Sequence, residues 1–163
     1  FWDRLSALPA GAPLIMMLGE IDCREGILRA VQRGKHSGVE AALTAVVELY
    51  LGILQQVRKR LPSSKIFVHP VPHVLPETRS LTVAFNILLE KPSSQAKMAK
   101  SRVQLLKLPS VFRDYPDGPP TLEANELSKM ELLPELKLDG THLNPAYVAS
   151  HLVPALKEVW PNA

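Results

Sequence analysis

From Val39 to Leu61, apolar residues recur at Val39, Leu43, Val46, Tyr50, Ile53, Leu54, Val57 and Leu61. That is the 3.6-residue period of an amphipathic helix, sustained for about six turns. Ser37-Gly38-Val39-Glu40 has capping-box spacing and predicts its start. Arg58, Lys59 and Arg60 crowd the final turn, where cations complement the helix dipole, and Pro62 stops it. A short apolar run lies on either side. Leu14 to Leu18 follows Pro9, Gly11 and Pro13 and ends at Gly19, while Ile66-Phe67-Val68 sits between Ser63-Ser64 and Pro70. Uninterrupted runs of this kind suit strands covered on both faces, although periodicity alone leaves a buried helix open for the first.

The alternation continues downstream. Leu81, Ala84, Phe85, Leu88 and Leu89 trace another helical face, and Val103 to Leu108 reads as a third strand. Tyr115-Pro116-Asp117-Gly118-Pro119-Pro120 reads as a surface loop. Asn144 and Pro145 make a helix start, with the proline at the first helical position, where its missing N–H does no harm. Val148, Leu152, Leu156 and Val159 carry the apolar face of that helix, and Pro154 inside it predicts a kink or a break. Strand, helix, strand, helix, strand, loop, helix is the pattern of an α/β fold with a parallel sheet. Ligands of such sheets sit beyond the carboxyl ends of the strands. Two segments fall there: the turn after Leu18 and the loop before Asn144.

Bulk properties narrow the classes of function. The length of 163 residues, without repeats or a linker-like tract, predicts a single domain over 1–163. The longest apolar runs are about five or six residues, far short of the roughly 20 that cross a bilayer, and no signal-peptide pattern opens the chain. The net charge is modest, at +3. Lys91, Lys97, Lys100, Arg102 and Lys107 form a basic stretch without acids, and no aromatic lies between Phe85 and Phe112 to stack on bases. That stretch reads as a solvated connection, with no nucleic-acid partner expected. Cys23 has no second cysteine to pair with, which fits a reducing compartment. His36, His69, His73 and His151 do not stand at zinc-ligand spacing with it. No glycine-rich phosphate loop occurs, so no metal or cofactor is expected.

Two clusters carry chemistry. In Gly19-Glu20-Ile21-Asp22-Cys23-Arg24 a glycine leaves the apolar run and ionisable side chains follow at once. Glycine allows a sharp turn and a close approach to a ligand. Asp22 and Glu25 have the spacing of a helix cap, and Glu20 and Arg24 that of an ion pair, so structural and ligand-facing roles both remain open. His69-Pro70-Val71-Pro72-His73 either lines the same cleft or caps its loop. The second cluster is Leu138-Asp139-Gly140-Thr141-His142-Leu143-Asn144. An acid three residues before a histidine can place its carboxylate on the imidazole, fixing the tautomer and stabilising the imidazolium. The alternative is a plain Asp-Gly turn with an exposed histidine.

Taken together, the two clusters resemble blocks of the SGNH/GDSL hydrolases. The family's third block is a strand followed by Gly-x-Asn-Asp, which Gly19-Glu20-Ile21-Asp22 resembles; its fifth is Asp-x-x-His before the last helix, which Asp139-Gly140-Thr141-His142 resembles. A subgroup reads Gly-Glu-Ile-Asp-Cys-Arg at the third block, the string found at Gly19 to Arg24. The resemblance runs from about Pro13 to Val159 and is lower between Ser93 and Leu136. It implies a three-layer, flavodoxin-like parallel sheet. It makes His142 the general base, Asp139 its orienting acid, and Gly19, Glu20, Ile21, Asp22 and Arg24 the oxyanion and cleft region. The implied reaction is ester hydrolysis or acyl transfer, with a carbohydrate or lipid ester as the expected substrate.

Two departures stand out. Ile21 replaces the family's asparagine and cannot donate a hydrogen bond to an oxyanion, a loss worth on the order of 10²–10³ in rate unless Arg24 or a backbone N–H substitutes. The family's Gly-Asp-Ser block also has no counterpart before Gly19; Ser6, in Leu5-Ser6-Ala7, follows neither a strand nor Gly-Asp. The chain is therefore expected to be the C-terminal two-thirds of such a domain, with its first strand and nucleophile in a missing N-terminal segment or another chain. Two functions follow: an ester hydrolase or acyltransferase portion, or a catalytically inactive subunit that keeps the fold.

Overall fold

Strands β1 (Leu14–Met16), β2 (Ile66–Val68) and β3 (Val103–Leu105) form one parallel sheet in sequence order. The register sets Met16 against Val68 and Val68 against Leu105. This computed structural model describes residues 1–107, 132, 134–140 and 142–161. Helix α1 (Trp2–Ser6) precedes the sheet. A π-helical turn (Asp22–Gly26) runs into α2 (Ile27–Gln32), and α3 (Val39–Arg60) then leads back to β2. A 3₁₀ turn (Pro76–Thr78), α4 (Arg79–Glu90) and α5 (Pro92–Lys100) lead to β3. The chain is thus α/β with a parallel sheet, as the alternation predicts.

Right-handed crossovers between strands in sequential order place both connections on one face. Accordingly α3 and α4 share a core with one side of the sheet: Leu54, Val57, Phe85 and Leu89 surround Met16, Ile66, Val68 and Val103. Each such fully buried side chain contributes about 1.5–3 kcal/mol. The opposite face carries a second cluster, in which Phe67 and Leu106 meet Leu132, Leu136, Tyr147 and Ala155. Those last two belong to the final helical segment, which starts at Ala146 and continues through a π-helical turn (Val148–Leu152) into α6 (Val153–Val159). Ile15, on the same face of β1, stays 39% exposed, so this second layer stops short of β1.

Several expectations are corrected. No side chain caps α3: Gly38 is its N-cap, and the Ser37/Glu40 capping box is not formed. Asp22 makes no cap bond either, because the helical turn already begins at Glu20 and places Asp22 inside it. The basic stretch is not a plain connection. Pro92–Lys100 is α5, with Pro92 at its start, Met98 buried, and the Ser94 hydroxyl donating to the Leu88 carbonyl at 2.7 Å. β1 ends at Met16 and β3 at Leu105, each short of the apolar run that suggested it. The irregularity expected from Pro154 is the π-helical turn just before it, where the i−4 bond that proline cannot make is bypassed. The loop expected at Tyr115–Pro120 lies outside the described residues.

Candidate active site

The site begins where β1 ends. Gly19 adopts φ +109°, a backbone conformation that L side chains rarely take. A Cβ there would lie 2.8 Å from Cζ of Phe85, so only glycine fits against that ring. The turn delivers Glu20 to the start of a helical segment that continues to Gln32. Glu20 pairs with Arg24 at 3.3 Å, and Arg24 also reaches Glu25 at 3.7 Å. The ion pair that the spacing suggested is therefore present, and it holds Arg24 on the solvent side of the turn.

At the far end of the sequence, a small antiparallel clamp closes the loop that carries the acid and the histidine. Lys137 bridges Leu143, Leu138 N–H donates to the His142 carbonyl at 2.9 Å, and Asn144 N–H donates to the Leu136 carbonyl at 2.8 Å. Asn144 then turns its side chain to the next helix and accepts from Ala146 N–H at 3.0 Å. Within the clamp, the Asp139 carboxylate accepts from the backbone N–H of His142 at 2.9 Å. It also contacts Nδ1 of the same residue at 2.9 and 3.0 Å. An ionised carboxylate only accepts, so Nδ1 carries a proton, and in the neutral ring the lone pair is then on Nε2.

Both segments reach one cavity at the carboxyl end of the sheet. It measures about 190 Å³, and Met17, Glu20, Pro72, Thr82, His142 and Leu143 are among the residues that line it. Gly19, Ile21 and Asp22 face a neighbouring cavity of about 390 Å³, between the β1 turn and the outer side of α3 at Leu49 and Ile53. Met17 and Glu20 border both. Arg24 lines neither. The structure therefore gathers Glu20 and His142 in one place, with Asp139 behind the imidazole, and sets Gly19, Ile21 and Asp22 next door.

The proline-rich loop after β2 forms the rest of the wall. Asn86 fixes it, accepting from Val71 N–H at 2.9 Å and donating to the Val71 carbonyl at 2.8 Å. His69 does not line the cavity. It is buried, with Nδ1 donating to the Pro70 carbonyl at 2.5 Å and Nε2 2.7 Å from the Tyr147 hydroxyl. Burial holds the His69 pKa below its ordinary 6.5, against the bond to Pro70, and burial also raises that of Tyr147. This neutral pair ties the loop after β2 to the final helix. The sequence marks the loop that His69 opens but gives no hint of its pairing with Tyr147, because the two are far apart in sequence.

Among the described residues, the obvious candidates do not supply a nucleophile for His142. Cys23 is fully buried, and burial pushes its thiol up to about 12, so it stays protonated. The Thr82 hydroxyl, which faces the cavity wall, donates to the Thr78 carbonyl at 3.2 Å. Ser6 donates to the Trp2 carbonyl within α1. No family model, curated protein or solved structure matches the chain. Among the described residues no helix is long and apolar enough to cross a membrane.

Proposed function

We propose that this chain is the base-bearing portion of an SGNH/GDSL-like serine ester hydrolase or acyltransferase. The observation that supports this most directly is the Asp139–His142 pair, with Nδ1 held at 2.9 Å in a cavity shared with the β1 turn. Nε2 of His142 takes the proton of an attacking serine, and Asp139 stabilises the imidazolium that results. The nucleophile comes from a segment outside these residues. The imidazole is 70% exposed, which leaves room for that segment.

Sheet topology supports an approach along β1. Ligand sites of open parallel sheets lie where the strand order reverses, and β1 is an edge of the described sheet. A further strand paired there brings its carboxyl end beside Glu20 and His142. It also covers a strand edge, which proteins rarely leave bare. The missing asparagine donor has a replacement in the same turn. The helical segment starting at Glu20 has first-turn N–H groups that no carbonyl of its own helix can reach, and such groups suit a developing oxyanion.

Ile21 favours a second reading. It is 57% exposed at the position where the resembled family has its donor, which suits an inactive subunit that keeps the fold and binds a partner there. Fluorophosphonate labelling separates the two. The whole protein, with whatever precedes Phe1, is labelled on serine if the first reading holds, and His142→Ala abolishes labelling. An unlabelled protein with no Gly-Asp-Ser strand supports the inactive subunit.

A further inference from the structure

At the opposite end of the sheet from His142, a cavity of about 340 Å³ opens beside the start of β2. Arg58, Ser64, Lys65 and Arg102 line it, and among the described residues its walls contain no aspartate or glutamate. Arg58 is the fixed element. Its Nε donates to the Ser101 carbonyl at 2.9 Å, its Nη1 to the Ser64 carbonyl at 2.7 Å, and its Nη2 to the Arg102 carbonyl at 2.5 Å. Further bonds to the Leu61 and Pro62 carbonyls leave the guanidinium little more to give than its charge and one N–H. Carbonyl oxygens carry no net charge, so that positive charge is not neutralised.

Four more observations point to a ligand. Arg102 takes φ +50°, in the region that normally selects glycine or asparagine after a helix end. Keeping an arginine there costs backbone strain, which its side chain must justify. Arg102 and Lys65 have no acidic partner among the described residues, and Lys65 is held 4.5 Å over the Trp160 ring. The nearby Arg102 charge helps to lower the Arg58 pKa, behind the larger effect of burial, as expected of two cations that crowd each other. Finally, Ser64 is 3% exposed and its hydroxyl finds no hydrogen-bond partner among the described residues. Buried hydroxyls without partners are rare.

We propose that this cavity binds a phosphoryl group, as inorganic phosphate or as the phosphomonoester end of a larger molecule. Arg102 and Lys65 supply the mobile cations, Arg58 the fixed charge, and Ser64 a donor. A dianion answers three converging charges better than a carboxylate does, and its oxygens accept from several donors at once. The cavity is just large enough for the phosphoryl group and a short attached moiety.

Calorimetric titration of the protein with inorganic phosphate, at constant ionic strength in chloride, tests this. Saturable binding with a Kd on the order of 1 mM or tighter is expected. Lys65→Ala and Arg102→Gly each weaken it by about tenfold, roughly 1.4 kcal/mol, while His142→Ala leaves it unchanged. Arg102→Gly also relieves the backbone, so its Tm is not lowered and the loss of binding is not a loss of fold. Sedimentation with phosphatidylcholine vesicles carrying phosphatidate identifies the source. Vesicle binding that phosphate competes away assigns a lipid headgroup, and phosphate binding without vesicle binding assigns a soluble ligand. Absence of saturable phosphate binding, or equal affinity in the Lys65→Ala/Arg102→Gly double variant, overturns the proposal.

Discussion

The Phe85 ring occupies the space where a side chain on residue 19 would begin: an ideal Cβ at Gly19 lies 2.8 Å from Phe85 Cζ. Phe85 is itself fully buried and packs beside Tyr50, with ring centroids 6.0 Å apart. The ring cannot retreat without disturbing the core under α3. Gly19→Ala therefore meets both a clash and a positive φ, and about 1–3 kcal/mol of stability should be lost. Urea denaturation measures it, and an unchanged midpoint contradicts this packing of the turn.

A second expectation concerns the loop after β2. Asn86 satisfies both backbone groups of Val71, which is itself 1% exposed. Asn86→Ala leaves a buried N–H and a carbonyl without these bonds, a cost of about 1–3 kcal/mol. Because the loop forms one wall of the cavity, hydrogen exchange should accelerate at Val71 and Val74 before global unfolding. Equal protection in the variant argues against the staple.

Much of this architecture is legible in residue order, for physical reasons that differ by element. Ile66–Val68 and Val39–Arg60 announce themselves because burial dictates their patterns, a continuous apolar run and a 3.6-residue period. α5 hides because its single large buried anchor is Met98; its stability comes from Ser94 on Leu88 and Lys97 on Glu48, tertiary partners that no local pattern reveals. The capping-box spacing at Ser37 misleads because Gly38 occupies the cap. At the site, Asp139 and His142 are visible as a local motif, since three residues of loop suffice to join them. Thr82 and the His69–Tyr147 tie are not, because only the tertiary fold brings them together, whereas Pro72 lies in the loop already expected either to line the cleft or to cap it.

His69 predicts a pH dependence. Its buried imidazole is held neutral, with a pKa below 6.5, while the unfolded chain takes up a proton near that value. Between the two values the unfolded state binds more protons, so stability rises with pH there. The stabilisation is complete above about 6.5 and is lost progressively as pH falls through the folded-state value. Thermal melts from neutral to mildly acidic pH should show Tm falling below about 6.5, with a shallower slope in His69→Asn. Equal slopes in both proteins would exclude His69 as the source.

The role of His142 depends on the state of its ring. If Asp139 holds His142 as the geometry indicates, nitrogen-15 NMR of the neutral imidazole will show its proton on Nδ1 and the lone pair on Nε2. Asp139→Asn will shift the population toward the other tautomer. A proton found on Nε2 in the unaltered protein would leave that nitrogen unable to act as the base, and would contradict the role given to His142.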